Sequence, residues 1–156
     1  QIPMLEIGSK IKDFTIPTDR GHFSLSDYQG KNIVLFFFPR ADTSGCTKEA
    51  VEFTSLLAEF DAANTVVIGI SKDTPEKQAK FRAKHNLECI LGADNGTDVC
   101  EQFGIWVEKS MYGKSYMGIE RSTFLIDPDG KITKIWRKVK VAGHADDVLA
   151  EVQAGG

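Results

Sequence analysis

Several features are scarce or missing in this chain of 156 residues, and each absence excludes a class of protein. There are only three cysteines, with no C-x-x-C pair and no metal-type doublet, so neither a secreted disulfide scaffold nor a zinc module is expected. The longest apolar run, 33–38, is six residues, far below the roughly 20 that span a bilayer. The net charge of −3 argues against a nucleic-acid-binding surface, and 42% hydrophobic residues are typical of a globular chain.

The order of strand and helix patterns indicates one α/β domain over residues 1–156. Repeats, low-complexity blocks and long linkers are absent. Apolar runs predict buried strands at 32–38 and 66–71, and a Pro-Asp-Gly turn predicts a hairpin of 119–127 with 131–139. Helices are predicted at 46–60, 75–85, 97–103 and 143–152. This succession predicts a mixed central sheet flanked by helices, as in a thioredoxin-like fold.

One cysteine stands in a position that favours reactivity. The stretch from Val34 to Glu49 reads as an apolar strand, a short turn and a helix that opens with Cys46. A helix N-terminus presents unpaired N–H groups and the positive end of the helix dipole, which favour the nucleophilic thiolate. Cys46 is therefore a candidate nucleophile, although a lone cysteine is often only a small buried hydrophobe.

The residues around Cys46 form a spaced motif, Pro39-x-x-x-Thr43-x-x-Cys46, which resembles the active-site motif of peroxiredoxins. The resemblance is strongest to the peroxiredoxin Q branch, also called bacterioferritin comigratory proteins, and it runs from about Ile7 to Val152. Three further stretches carry it: Gly69–Asp73, Val99–Gly104 and Gly118–Asp127, the last of which contains Arg121.

The resemblance implies a thiol-dependent peroxidase that reduces hydrogen peroxide and organic hydroperoxides, with Cys46 passing from thiolate to sulfenic acid. Substrate donors would be the Gly45 and Cys46 N–H groups, the Thr43 hydroxyl and the Arg121 guanidinium, whose permanent charge would also stabilise the thiolate. Pro39 would shape the loop and shield the sulfur from water. Alternatives remain: Thr43 as a helix N-cap, Arg121 as a surface residue, and Glu49 either orienting Arg121 or complementing the helix dipole.

The other two cysteines depart from the pattern of the branch. Many members carry a resolving cysteine five positions after the first, where this chain has Val51, or in the next helix, where 80–84 contains none. Cys89 and Cys100 remain as candidate resolving residues, yet both also fit an apolar core. An external thiol is then expected to attack the sulfenic acid directly.

The partners and setting follow from the resemblance and the composition. We expect a thioredoxin-type or similar thiol reductant, a role in antioxidant defence and redox homeostasis, a monomer, and a cytoplasmic location, or an organelle if the N-terminus is processed.

No cofactor, metal, nucleic acid or membrane partner is expected; His22, His85 and His144 are scattered and read as surface or cap residues. Trp106 and 111–114 are assigned to a long loop near the site. The basic stretch 131–140 reads as a solvated strand face or a dock for an acidic reductase.

Two other functions remain as alternatives to the peroxidase. A non-enzymatic thiol redox sensor on the same fold would show stoichiometric oxidation of Cys46 with little turnover. A disulfide oxidoreductase is disfavoured because C-x-x-C is missing.

Overall fold

The chain folds around one large β-sheet, as seen in a computed structural model that describes residues 5–155. The strands are β1 (Thr15–Thr18), β2 (Gly21–Ser24), β3 (Asn32–Phe37), β4 (Thr65–Ser71), β5 (Ile90–Ala93), β6 (Trp106–Met111), β7 (Lys114–Ile119), β8 (Ser122–Ile126) and β9 (Ile132–Trp136). The helices are α1 (Ser44–Ser55), α2 (Leu57–Ala62), α3 (Pro75–His85), α4 (Val99–Gln102) and α5 (His144–Gly155), with a 3-10 turn at Leu25–Tyr28. Within the described residues, no helix is long and apolar enough to cross a membrane.

Seven strands form a mixed sheet in the order β2-β1-β5-β4-β3-β8-β9. β3 runs parallel to β4, and β4 runs parallel to β5, whereas β8 is antiparallel to both β3 and β9. This confirms the predicted mixed central sheet flanked by helices. β3 is buried at every position because it has a strand on each side and a covered surface on each face, which explains its unbroken apolar sequence.

The sheet separates two apolar clusters, and alternate residues of β3 enter each. Leu35 and Phe37 belong to the first cluster, which packs around Phe103. Phe36 belongs to the second, where it stacks on Phe53 of α1 with ring centroids 4.5 Å apart. The second cluster therefore fastens α1 to the centre of the sheet.

Residues 106–119 form a hairpin, so the predicted loop was wrong. β6 pairs antiparallel with β7 from end to end, as a separate two-stranded sheet. Tyr112 and Gly113 at its tip both have positive φ, 52° and 77°, as a two-residue type I′ turn requires. The sequence lacks the usual Asn-Gly or Asp-Gly at this turn, and much of β7 is exposed, so the periodicity gave little strand signal.

The first long helix also differs from its prediction. It begins at Ser44 instead of Cys46 and ends at Ser55, and α2 follows after Leu56, whose ψ of 6° interrupts the helix. The parallel strands β3 and β4 end side by side, one leading into α1 and the other into α3. Ligand sites in sheets of this kind lie at the carboxyl ends of the strands.

Candidate active site

Cys46 lies in the first turn of α1, after the loop that follows β3. Thr43 is the N-cap residue, and its carbonyl accepts the Thr47 N–H at 2.8 Å. The N–H groups of Ser44, Gly45 and Cys46 precede this first intrahelical bond, so they are oriented to stabilise a negative charge. The Cys46 residue itself is only 1% exposed. The predicted placement of the cysteine at a helix N-terminus is therefore confirmed.

The Arg121 guanidinium connects Cys46 to a buried carboxylate. Its Nη2 lies 3.2 Å from Cys46 Sγ, and its Nη1 donates to Glu49 Oε1 at 2.6 Å. Arg121 lies in the connection between β7 and β8, not inside a strand as predicted, and its side chain is 17% exposed. The structure thus brings together three predicted site residues that are up to 75 positions apart in the chain.

Glu49 lies one turn after Cys46 on α1 and is almost completely buried. Burial raises its pKa to about 7, because desolvation of the carboxylate outweighs the attraction of Arg121. Its second oxygen, Oε2, has no hydrogen-bond partner within the described chain. Burial also disfavours the charge on Arg121, but Glu49 and Cys46 raise the pKa of Arg121 above its ordinary value. A permanent cation therefore faces the thiol.

The other two motif residues lie in the loop between β3 and α1. The Thr43 hydroxyl donates to the Arg40 carbonyl at 2.9 Å and makes no side-chain cap bond to α1. Its oxygen lone pairs are therefore free to accept a hydrogen bond. Pro39 is exposed and lines a groove beside the loop. The shielding of the sulfur by Pro39 stays a prediction.

A group of residues that sequence analysis did not assign to the site holds this loop in place. Asp73 Oδ2 accepts the Ala41 N–H at 2.8 Å and the Ser71 hydroxyl at 2.6 Å. Ser71 Oγ in turn accepts from the buried Gln78 Nε2 at 2.9 Å. Asp73 precedes Thr74, the N-cap residue of α3, whose hydroxyl accepts the Lys77 N–H at 3.2 Å. No local pattern signals the Asp73 contact, since it depends on β3 and β4 ending side by side.

Asp42 provides a second attachment of the loop, to the C-terminal end of α3. Its carboxylate accepts from Lys84 Nζ at 2.9 Å and bonds His85 Nε2 at 2.8 Å. These hydrogen bonds, first that of His85 and then that of Lys84, lower the pKa of Asp42. Asp42 has a φ of 66°, a left-handed conformation that aspartate tolerates better than most residues. The loop is therefore tied down at two consecutive positions, 41 and 42.

The two candidate resolving cysteines are buried away from Cys46. All three cysteines are free. Burial raises the pKa of Cys89 to about 11, and burial next to Asp94 raises that of Cys100 further. Cys100 lies in the cluster on the opposite side of the sheet from Cys46. Cys89 contacts Thr54 of α1, eight residues beyond Cys46 and so about 12 Å along the helix. A disulfide requires Cα atoms within about 7 Å, so the contact of Cys89 with Thr54 and the position of Cys100 across the sheet both disfavour pairing with Cys46.

One of the three histidines corrects its prediction as a surface or cap residue. His144 is buried, and its ring packs edge-on against Phe53 and Trp136. Its Nε2 shares a hydrogen bond of 2.7 Å with the Thr123 hydroxyl, and burial lowers its pKa to about 4. Across residues 5–155, no group of three or more His, Cys, Asp or Glu side chains could hold a metal ion.

Comparisons with known protein sequences agree on one family. The model of the AhpC/TSA family matches residues 7–135. The putative peroxiredoxin bcp of Coxiella burnetii is 46% identical over 149 residues, covering 95% of this chain and 99% of that protein. The peroxiredoxin Bcp of Bacillus subtilis is 47% identical over 146 residues, covering 93% of each.

Solved structures give the same result. The PrxQ of Xylella fastidiosa superimposes with a TM-score of 0.93 at 35% identity, covering 98% of each chain. The bacterioferritin comigratory protein of Xanthomonas campestris, described for its alkyl peroxide reduction activity, gives 0.89 at 40% identity and 97% coverage of each chain.

The chain therefore combines a thioredoxin-like sheet with a cysteine at a helix N-terminus, and it belongs to the AhpC/TSA family. Its similarity to peroxiredoxin Bcp in sequence and to PrxQ in structure places it in the peroxiredoxin Q, or bacterioferritin comigratory protein, branch. It is accordingly a thiol-dependent peroxidase, an oxidoreductase that acts on peroxides with a thiol reductant.

Proposed function

We propose that Cys46 is the peroxide-reacting residue and the only cysteine that takes part in turnover, with hydrogen peroxide and organic hydroperoxides as substrates. The observation that carries this proposal is the contact of Arg121 Nη2 with Cys46 Sγ at 3.2 Å, in the first turn of α1. The alkyl peroxide reduction described for the Xanthomonas campestris relative supports organic hydroperoxides as substrates.

In the first step, the Cys46 thiolate attacks the terminal oxygen of the hydroperoxide ROOH. The S–O bond forms as the O–O bond breaks, Cys46 becomes a sulfenic acid, and the leaving oxygen takes up a proton to give ROH. Arg121 and the N–H groups of Gly45 and Cys46 stabilise the charge that moves onto the leaving oxygen. The Thr43 oxygen accepts a hydrogen bond from the peroxide O–H and so orients the substrate. Its lone pairs are available for this because its own hydrogen is donated to the Arg40 carbonyl.

Glu49 and Pro39 do not contact the peroxide but act through other parts of the site. Glu49 is a positioning residue that holds the Arg121 fork by a charge-assisted hydrogen bond of 2.6 Å. This geometry favours the orienting role over a simple complement to the helix dipole, because Glu49 is buried and aimed at Arg121. Pro39 shapes the loop before α1 and limits the access of water to the sulfur.

The second step uses a thiol from outside the chain. A reductant thiol attacks the sulfenic sulfur, water leaves, and a mixed disulfide with Cys46 remains; a second thiol then releases the Cys46 thiolate. The burial of Cys89 and Cys100 and their raised pKa values support a structural role for both. A thioredoxin or similar dithiol protein is the reductant that we propose to complete the cycle.

The setting that we propose is antioxidant defence in the cytoplasm, or in an organelle if the chain is processed. Three free cysteines support a reducing compartment. We also propose that residues 1–156 act as a single thioredoxin-like domain and a monomer, without a cofactor and without a nucleic-acid or membrane partner. The net charge of −3 supports the exclusion of nucleic acid.

The test is steady-state peroxide consumption with a thioredoxin system, comparing three cysteine variants. Cys46→Ser should lower turnover to the uncatalysed level, whereas Cys89→Ala and Cys100→Ala, matched controls that keep a small apolar side chain, should retain it. Turnover that survives Cys46→Ser contradicts the proposal. Oxidation of wild-type Cys46 by one equivalent of peroxide, without turnover by any reductant, would instead support a redox sensor.

A further inference from the structure

We propose that a basic groove beside Cys46 binds a small anionic thiol, which reduces the Cys46 sulfenic acid; the inference rests on the peroxidase function proposed above. The groove has a volume of about 530 Å³, within the range of small-molecule sites. Among the residues that line it are Pro39, Arg40, Lys77, Lys109, Tyr116 and Met117, and we call it the basic groove.

The basic groove adjoins the active site because its walls continue the segments that carry the site. On one side, Pro39 and Arg40 belong to the loop before α1, and the Arg40 carbonyl accepts the Thr43 hydroxyl at 2.9 Å. On the other side, Ile119 ends β7 two positions before Arg121. A molecule bound there would lie between the two segments that present the reacting groups.

Positive charge predominates in the basic groove although the whole chain carries −3. Arg40, Lys77 and Lys109 form no ion pair with any residue between 5 and 155. A fourth cation, Lys72, is already paired with acidic side chains, and Asp73, which also lines the groove, is bonded to the loop. The basic groove thus holds three cations without an ion pair and one carboxylate that is already hydrogen-bonded. This excess of positive charge favours an anionic ligand.

This charge suits the reducing thiol better than the peroxide. The thiolate is the form that attacks a sulfenic sulfur, and neighbouring cations stabilise a thiolate. Carboxylates on the same molecule would be drawn to Arg40, Lys77 and Lys109, which concentrates the thiol near the site. A hydroperoxide group is neutral at physiological pH and gains nothing comparable from the cations.

The burial of the sulfur favours a small reductant for this step. Cys46 is 1% exposed, so a thiol carried on a protein surface has less access to it than a small molecule has. The loop before α1 is tied to α3, and α3 is anchored in turn by the ion pair of Arg82 with Asp19 at 2.7 Å. Tyr116 and Met117, 45% and 49% exposed, offer a small thiol apolar contacts in the basic groove.

Reduction of the Cys46 sulfenic acid in this way needs only two thiols. The thiol RSH attacks the Cys46 sulfenic sulfur, an S–S bond forms as the S–O bond breaks, and the hydroxyl leaves as water. A second thiol, from another small molecule or from a dithiol protein, then attacks the mixed disulfide. It restores the Cys46 thiolate and leaves as a disulfide with R.

The test follows the reduction of Cys46 by quenched-flow mass spectrometry after oxidation with one equivalent of hydrogen peroxide. The probes are reduced glutathione (anionic), 2-mercaptoethanol (neutral) and cysteamine (cationic). We expect the rate with glutathione to saturate with concentration and to fall on the order of tenfold in Lys77→Glu and in Lys109→Glu. Both variants should slow the reaction with 2-mercaptoethanol less than the reaction with glutathione, because 2-mercaptoethanol carries no carboxylate and its thiolate is its only negative charge. Lys114→Glu, at the tip of the same hairpin and with the same change in charge, is the matched control and should react like wild type.

The outcomes separate this inference from the proposed function. Equal rates with glutathione in Lys109→Glu and Lys114→Glu overturn the basic groove as a thiol site. Slower oxidation of Cys46 by peroxide in Lys109→Glu, with unchanged reduction, assigns the groove to the peroxide and also overturns it. A wild-type Cys46 that resists peroxide refutes the proposed function instead. In that case, calorimetric titration of S-methylglutathione into the reduced enzyme still tests the basic groove. Binding to wild type that is lost in Lys109→Glu supports the groove as an anion site, and no binding to wild type overturns it.

Discussion

Replacing Glu49 by glutamine separates the energetic cost of the buried carboxylate from its role in the site. The substitution keeps the size of the side chain and one oxygen that accepts from Arg121 Nη1, but it removes the negative charge. The folded chain holds the Glu49 proton with a pKa of about 7, against 4.5 ordinarily. For an acid with a raised pKa, the stability gained from protonation is complete below pH 4.5 and is lost as the pH rises through 7.

The magnitude follows from this difference in pKa. One pH unit corresponds to about 1.4 kcal/mol, so ionised Glu49 costs the folded state about 3 kcal/mol above pH 7. Glu49→Gln carries no such cost. We expect it to exceed wild type in free energy of unfolding by about 3 kcal/mol at pH 8, and by far less at pH 5. Urea denaturation of both proteins at pH 5, 6, 7 and 8 measures the difference. Parallel stability curves would refute the reasoning.

The same variant should be slower. A charge-assisted hydrogen bond is roughly twice as strong as a neutral one, so Arg121 is held less firmly beside Cys46 in Glu49→Gln. A loss of about 1.4 kcal/mol of transition-state stabilisation lowers the rate of Cys46 oxidation about tenfold, as stopped-flow kinetics would show. Greater stability together with slower oxidation would indicate that Glu49 serves the reaction at the expense of stability. A variant that is less stable at pH 8 would point to a structural role alone.

Three further predictions address the helices and the sheet. His144, whose pKa burial lowers to about 4 from 6.5, contributes stability that is complete above pH 6.5 and is lost as the pH falls toward 4. His144→Gln keeps a partner for the Thr123 hydroxyl and should flatten the acid side of a plot of Tm against pH; an unchanged slope would contradict this. Gly69→Ala places a Cβ 2.5 Å from Phe36 Cζ and should reduce stability by about 1–3 kcal/mol in urea denaturation, so wild-type stability would show that the ring moves freely. Val51→Cys adds an exposed thiol five positions after the reactive cysteine, on a different side of α1. After peroxide, mass spectrometry should show added oxygen first and loss of two hydrogens only later, because the disulfide requires α1 to unwind; an immediate disulfide would mean that the helix is already open.

The parts of the molecule that were predictable from sequence are those with local causes. β3 is an unbroken apolar run because both its faces are covered, and Cys46 lies in the first turn of a helix because a short turn separates that helix from the strand. The position of Thr43 at the N-cap follows from the same local pattern. The pairing of Arg121 with Cys46 came from the family motif, since no local pattern connects residues 75 positions apart.

The parts that were missed depend on tertiary contacts. Asp73 and Asp42 carry no signal of a site role in the sequence, and their contacts with Ala41 and with the end of α3 appear only when parallel strands bring these segments together. His144 read as a surface residue because an isolated histidine carries no signal of burial. The hairpin of β6 and β7 read as a loop because its turn residues and exposed face resemble one.

Intact mass with peptide mapping, after one equivalent of hydrogen peroxide and without reductant, shows which cysteine reacts with peroxide. We expect one added oxygen, located on Cys46 and trapped there as a sulfenic acid adduct, with Cys89 and Cys100 still free thiols. Loss of two hydrogens, with Cys46 linked to Cys89 or Cys100, would contradict the proposal that an external thiol reduces the Cys46 sulfenic acid. An unmodified Cys46 would contradict the assignment of the reacting residue itself.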